Sequence, residues 1–296
     1  MFLKTFPILV ALLSLALPTS AQEQWTGDLT IGVDYQGRTD IENPNGEFDF
    51  VHSNAQLRAG RRFGDDARWA FILIAEYRGF AYSFDDLPAG DVWDDIHVVR
   101  LGPRLNYRLN DSWSLFGGPV GEFSGERGSE FSDSIRGGAR FGVHWHPSER
   151  LSLSLGILAT NKLADDLWIQ PVVLIDWHIT DDLLFTTRSW SSRGGRIELI
   201  YSLGAGWETS IAGGRERERF RLDSSRAAIG KGVGEENSIP LTLTVAKTLL
   251  SGLKIQACGG AVLDGELRVE DESGDNVAVS DFDRSWFVGG ALTVPF

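Results

Sequence analysis

Seven arginines of one parity are the densest chemistry in this chain. Arg58 and Arg62 lie in one stretch, Arg100, Arg104 and Arg108 in a second, and Arg136 and Arg140 in a third. Even spacing puts such residues on one face of an extended strand, because strand side chains alternate with a period of two. Glu76 and Arg78 share that parity in the stretch between. Asp34, Asp176, Glu198 and Asp264 hold matching positions elsewhere. A guanidinium presents a planar fork of donors that fits a carboxylate or phosphate. Two outcomes stand open. A basic wall facing a more acidic wall across water would orient and select polar or anionic solutes. The same groups could instead pair with one another and fill the space between with a hydrogen-bonded network.

Other candidates carry less. His144, His146 and His178 share the polar parity, and histidine is a common metal ligand. No fixed His/Cys/Asp spacing accompanies them, so they read as ordinary polar residues and no metal is assigned. Ser152 and Ser154 lie near the histidines, but no Gly-x-Ser-x-Gly elbow occurs and nothing marks an orienting acid. A hydrolase acting on lipid would need a Ser–His pair within hydrogen-bond reach; no catalytic residue is assigned. Asp85, Asp86, Asp91, Asp94 and Asp95 lack the regular spacing of a calcium loop and read as solvated loop charges. Cys258 is the single cysteine, which excludes an internal disulfide. No cofactor is expected.

The elements that must position the arginines are strands. From Ile135 to Trp145 the odd positions are apolar or glycine, and the even positions carry Arg136, Arg140 and His144. After Pro147-Ser148-Glu149, Leu151, Leu153, Leu155 and Ile157 alternate with Ser152, Ser154 and Gly156. One face is apolar and the other polar. The unit repeats along the chain: Leu29/Ile31/Val33/Tyr35, Ala55/Leu57, Trp69/Phe71, Val99/Leu101, Ile169/Val173, Ile197/Leu199, Leu241/Leu243, Ile255/Ala257, Leu292/Val294. Turns near 64, 110, 148, 181, 205 and 251 are short. The intervening loops are mostly longer and acidic, including 39–47, 84–95, 124–134 and, longest, 223–237. The run Arg215-Glu216-Arg217-Glu218-Arg219 is too charged for lipid and is expected as a strand extension above a membrane.

The first residues carry Lys4, an apolar run from Ile8 to Leu17, then Pro18-Thr19-Ser20-Ala21, the pattern of a signal peptide over 1–21. The run falls short of the ~20 apolar residues that a spanning helix needs. The full chain has a formal net charge of −13, which argues against nucleic acid as a partner.

Alternation also fits a soluble sheet. Short turns opposite longer loops, and aromatics flanking the short turns (Phe63/Trp69, Tyr107/Trp113, Trp145, Trp177, Tyr201/Trp207), favour strands that cross a bilayer, with the rings at its interface. Closure leaves no unpaired edge in lipid. Leu292, Val294 and Phe296 resemble the terminal strand by which outer-membrane barrels are recognised by their assembly machinery; Pro295 departs from that pattern. The mature chain as a whole resembles the outer-membrane β-barrels of the porin-like superfamily. The expected fold is all-β, a single up-and-down antiparallel transmembrane β-barrel over 22–296 of about 14 strands (12–16), with boundaries good to about 2–4 residues. No plug domain ahead of the first strand and no domain after Phe296 is expected. The resemblance implies lodging in the outer membrane of a Gram-negative bacterium beside lipid and lipopolysaccharide. Function is expected to be a passive channel for small polar or anionic solutes, lined by Arg58, Arg62, Glu76, Arg100, Arg104, Arg108, Arg136, Arg140, Asp176 and Glu198. The alternatives are a structural or adhesion barrel acting through its loops, or, less favoured, a lipid hydrolase.

Overall fold

A computed structural model describes residues 25–42, 45–87, 91–163, 165–188, 195–225 and 231–296. The expected leader at 1–21 lies outside them, as does the end, at Trp190, of the strand that the sequence places from Leu183 after the turn near 181. Fourteen strands run up and down around one closed antiparallel sheet. They are β1 (Thr26–Ile41), β2 (Gly46–Phe63), β3 (Trp69–Asp85), β4 (Ile96–Leu101, continued by Arg104–Arg108), β5 (Trp113–Glu126), β6 (Ile135–Ser148) and β7 (Leu151–Lys162). The second half is β8 (Asp165–His178), β9 (Leu183–Arg188), β10 (Arg196–Gly204), β11 (Trp207–Gly214, continued by Glu216–Arg221), β12 (Val233–Thr248), β13 (Lys254–Glu270) and β14 (Asn276–Phe282, continued by Ser285–Pro295).

Closure joins β1 to β14 from Asp28↔Pro295 to Gln36↔Phe287. Beyond Pro295, Gly27 and Phe296 exchange both backbone bonds, at 2.9 and 3.0 Å. Pro295 lies past the last β13 pair, Lys254↔Thr293, so no ladder on that side needs the N–H it lacks. The weakest seam among the described residues is β8–β9, with three register pairs from Leu184↔His178 to Thr186↔Asp176. Just above it a side chain takes over, as Ile175 N–H donates to Thr187 Oγ1 at 2.9 Å. That meets the demand that backbone donors inside a bilayer find partners.

The sheet is inside out relative to a soluble protein. Leu155 is 51 % exposed and Phe141 59 %, while Arg100 and Arg136 are 8 % and 6 % exposed. Exposed apolar side chains over so large a continuous face belong against lipid. The aromatics at the short turns also stand on the outside. Trp69 packs on Tyr107 at 4.5 Å between ring centroids, Trp113 stacks on Trp145 at 5.5 Å, and both are cross-strand pairs in register. These rings form the girdle expected at one interface.

Several external connections are shorter than the sequence suggests. The acidic stretch 39–47 is largely strand, because β1 runs to Ile41 and β2 starts at Gly46. The stretch 223–237 loses Val233 to Asn237 to the start of β12. The charged extension of β11 exists, but it turns inward. Arg221 bridges Gly125 of β5, and Ser124 Oγ donates to Arg219 O at 2.9 Å. The β11–β12 hairpin therefore crosses the lumen at the end away from the short turns.

An apolar core caps that mouth. Phe48, Phe50, Phe80, Trp93, Phe220 and Phe282 are buried together with Ile41, Ile96, Val262 and Leu267. Trp93 comes from the loop after β3 and meets Tyr82, Phe84 and Phe220 edge-on, with centroids 5.6, 5.9 and 5.0 Å away. Glycine opposite a ring lets it lie flat across the neighbouring strand: Phe220 faces Gly234 and Phe282 faces Gly265. Register shifts between Gln36 and Thr39 and between Ser238 and Pro240 reverse strand parity on the way up. As a result Ile41, Leu267 and Val269 turn inward, although odd positions face outward lower down. Asp264 falls beside the second shift and is exposed.

Candidate functional site

The polar face lines the lumen in two levels. The upper level, beneath the aromatic cap, is an ion-pair network. Arg100 contacts Glu76 at 3.2 Å, Glu218 at 3.7 Å and, closer, Glu122, which also binds Arg136; Arg78 contacts Glu218 at 3.5 Å. Three guanidiniums face three carboxylates, so this level is close to neutral. Opposite-charge pairing is what makes burial of such groups tolerable. His52 extends the network: Arg78 Nε donates to His52 Nε2 at 2.9 Å, and His52 Nδ1 lies 2.9 Å from Asp34. With Nε2 accepting, the ring proton sits on Nδ1 and is donated to Asp34. On the inserted hairpin, Arg219 pairs with Glu235 and Glu270, Arg217 with Glu235, and Tyr82 donates to Glu236.

The lower level, toward the short turns, is a chamber of about 530 Å³. Arg58, Arg62, Arg104 and Arg140 border it with His144, Ser154, Gln170 and Asp176, and so do Ile72, Ile74, Phe116, Leu158, Val172 and Leu174. Arg140 donates to Gly102 O at 2.9 Å. Asp176 is engaged by Thr186 Oγ1 at 2.5 Å. Among the described residues no carboxylate pairs with Arg58, Arg62 or Arg104, and the Nε of Arg104 is buried without a partner. Arg58 and Arg140 both stand close enough to Arg104 to repel it. Arg104 lies over the Phe116 ring, 5.7 Å from its centroid, a cation–π contact.

A glycine pair seats that ring. Gly142 and Gly156 face each other across β6 and β7, and Phe116 of β5 lies against them. A Cβ at Gly156 would stand 2.6 Å from Phe141 O and 3.0 Å from Phe116 Cζ. Gly156→Val is expected to push Phe116 into the chamber and to cost about 1–3 kcal/mol, as overpacking does. A urea titration of the folded barrel checks this, and an unchanged midpoint would contradict it.

The expected lining residues thus divide. Arg58, Arg62, Arg104, Arg140 and Asp176 border the chamber, and Glu76, Arg100 and Arg136 border it too, at its upper end, where they pair in the network. Glu198 lies farther round the wall, held by Ser210 at 2.7 Å and near Arg196 at 3.9 Å. Arg108 stands at the short-turn rim, where it donates to Asp66 O at 2.7 Å, and does not border the chamber. Sequence reasoning missed Glu122 and Glu218. Glu122 shares the inward parity of its strand, so alternation carried to Glu126 would have found it.

His144 Nδ1 lies 2.7 Å from Ser154 Oγ, so the Ser–His contact that a hydrolase requires is present. Among the described residues no carboxylate bonds the imidazole; its neighbours are Phe116 and Arg104. The flanking strands are paired by backbone at His144↔Ser154 and Leu155↔Val173. The described residues hold no cluster of three metal-ligating side chains. Outside the barrel wall, Lys231 ties the loop before β6 through Asp133 at 2.7 Å and Glu130 at 3.1 Å. That ammonium holds the Asp133 carboxyl below the usual carboxylate range.

The fold and the apolar outer face define a closed fourteen-stranded transmembrane β-barrel. No family model matches the chain, and no curated protein matches it in sequence. Among solved structures it is similar to a Pseudomonas aeruginosa FadL homologue, at 12 % identity and a TM-score of 0.50, over 92 % of this chain and 90 % of that one. An outer membrane channel from Pseudomonas putida F1 aligns over 95 % of this chain and 100 % of that one, at 12 % identity and a TM-score of 0.48. At such identity the likeness concerns the fold alone.

Proposed function

We propose that this chain is an outer-membrane channel for small polar or anionic solutes, with Arg58, Arg104 and Arg140 as the selective wall. One observation carries the reading: guanidiniums that have no paired carboxylate among the described residues, Arg58 and Arg104, border an internal chamber rather than a filled core. A fixed positive field beside enclosed water raises the local concentration of anions. Residues 1–21 direct export, and the strand ending in Phe296 is read by the assembly machinery. The barrel then sits among lipid and lipopolysaccharide. Among the described residues the Ser154–His144 pair has no orienting acid, which favours transport over catalysis. Passage to the outside requires the inserted β11–β12 hairpin to move, so the unmodified protein is expected to pass small currents.

Planar-bilayer recording tests this. Steady currents are expected to prefer anions, and the preference is expected to fall when Arg104→Ala and Arg140→Ala are combined. Folded protein that never conducts, even with the mouth loosened, would overturn the reading. It would leave the second one, a structural or adhesion barrel, which the packed aromatic mouth favours.

A further inference from the structure

We propose that the lower chamber is a binding site for a small organic monoanion with an apolar body, a carboxylate on a compact ring or branched chain. This deepens the channel reading and rests on it for biological purpose, although the binding itself does not require conduction. The upper network balances its own charges, three against three. The lower chamber does not. Arg58 and Arg104 have no carboxylate partner among the described residues, and the buried Arg104 Nε is unused. Among the described residues the Arg104 guanidinium is anchored by the face of Phe116 alone, so its fork stays available to a planar carboxylate, which accepts two parallel N–H bonds. Arg140 stands beside it, with NH2 directed at Gly102 O.

An inorganic anion would use the charge and waste the rest of the wall. Ile72, Ile74, Leu158, Val172 and Leu174 border the same cavity as the guanidiniums. These residues lie on the lumen side of a barrel whose other inward positions are mainly polar, and water gains nothing there. An apolar body against them releases that water. Pockets that take small organic ligands commonly span ~300–1,000 Å³ and combine an apolar lining with few convergent polar groups. The chamber, at about 530 Å³, lies in that range.

Titration calorimetry of the folded full-length barrel in detergent tests the assignment, with benzoate, its neutral isostere benzamide, and acetate as probes. Benzoate is expected to bind at least about tenfold more tightly than either, a factor worth about 1.4 kcal/mol. Arg104→Gln is expected to remove the preference over benzamide, and Phe116→Leu to weaken benzoate while leaving acetate unchanged. Both variants should keep the unheated gel mobility of the folded barrel. Equal binding of benzoate and benzamide would overturn the carboxylate assignment, and equal binding of benzoate and acetate would overturn the apolar one. A barrel that binds benzoate as expected but passes no current defeats the channel reading alone. Anion-selective current without any benzoate preference defeats this inference alone.

Discussion

Glu122→Ala is expected to destabilise the barrel by about 3–5 kcal/mol, the cost of breaking a buried ion pair from one side. The carboxylate stands between Arg100 and Arg136, both almost fully buried, and touches each. Its removal leaves Arg136 without its carboxylate and Arg100 with only the longer contacts to Glu76 and Glu218. Glu122→Gln keeps an acceptor of the same shape and should cost clearly less. Urea midpoints of the folded band on unheated gels measure both changes. A loss for Glu122→Ala within ~1 kcal/mol, the range of solvated surface pairs, would show that water screens this level of the lumen.

Trp93→Ala is expected to act on stability and on passage together. The indole is 1 % exposed and packs against rings from β3 and from the inserted β11–β12 hairpin. Truncating a buried aromatic costs about 3–5 kcal/mol. Here the loss falls on the cap, because β1 to β14 keep their ladders at membrane level. The wall should persist while the mouth loosens. The expected result is an unchanged outer-wall β signal in circular dichroism, faster proteolysis near the hairpin, and larger unitary currents than the unmodified protein. Unchanged currents together with faster proteolysis would mean that the cap is not what limits passage.

Strand after strand, the wall could be read from alternation because its two solvents differ: lipid outside and water inside impose period two on every crossing. The closing pair at Phe296 and the girdle of Trp69, Trp113, Trp145 and Trp177 follow from the same rule. The upper third could not be read that way. There the lumen face turns from His52 and Arg78 to Phe50, Phe48, Phe80 and Tyr82, still on even positions, while the outward positions become Glu47, Asp49, Ser83 and Asp85, so the apolar and polar faces change sides and the rule inverts. Register shifts at Gln36/Thr39 and Ser238/Pro240 then reverse parity, and a shift of one residue leaves no mark in composition. The inward turn of Arg217 to Arg221 was hidden for a further reason. Its charges suggested exposure, but their partners Glu235 and Glu270 come from other strands, and only the fold brings them together. The lower chamber was legible in part: parity placed Arg58, Arg104 and Arg140, but could not show that, among the described residues, neither Arg58 nor Arg104 forms an ion pair.

The most direct test of the enclosed, watery interior uses the chain's single thiol. Cys258 lies on the inner face of β13 and borders a second cavity of about 380 Å³ with Asp34, Gln256 and Thr244. In liposomes holding the folded barrel, a charged, water-soluble thiol reagent is expected to modify Cys258, and faster in Trp93→Ala. A maleimide confined to the acyl chains should leave it untouched. Modification by the lipid-confined reagent alone would put the polar face against the bilayer and contradict the account.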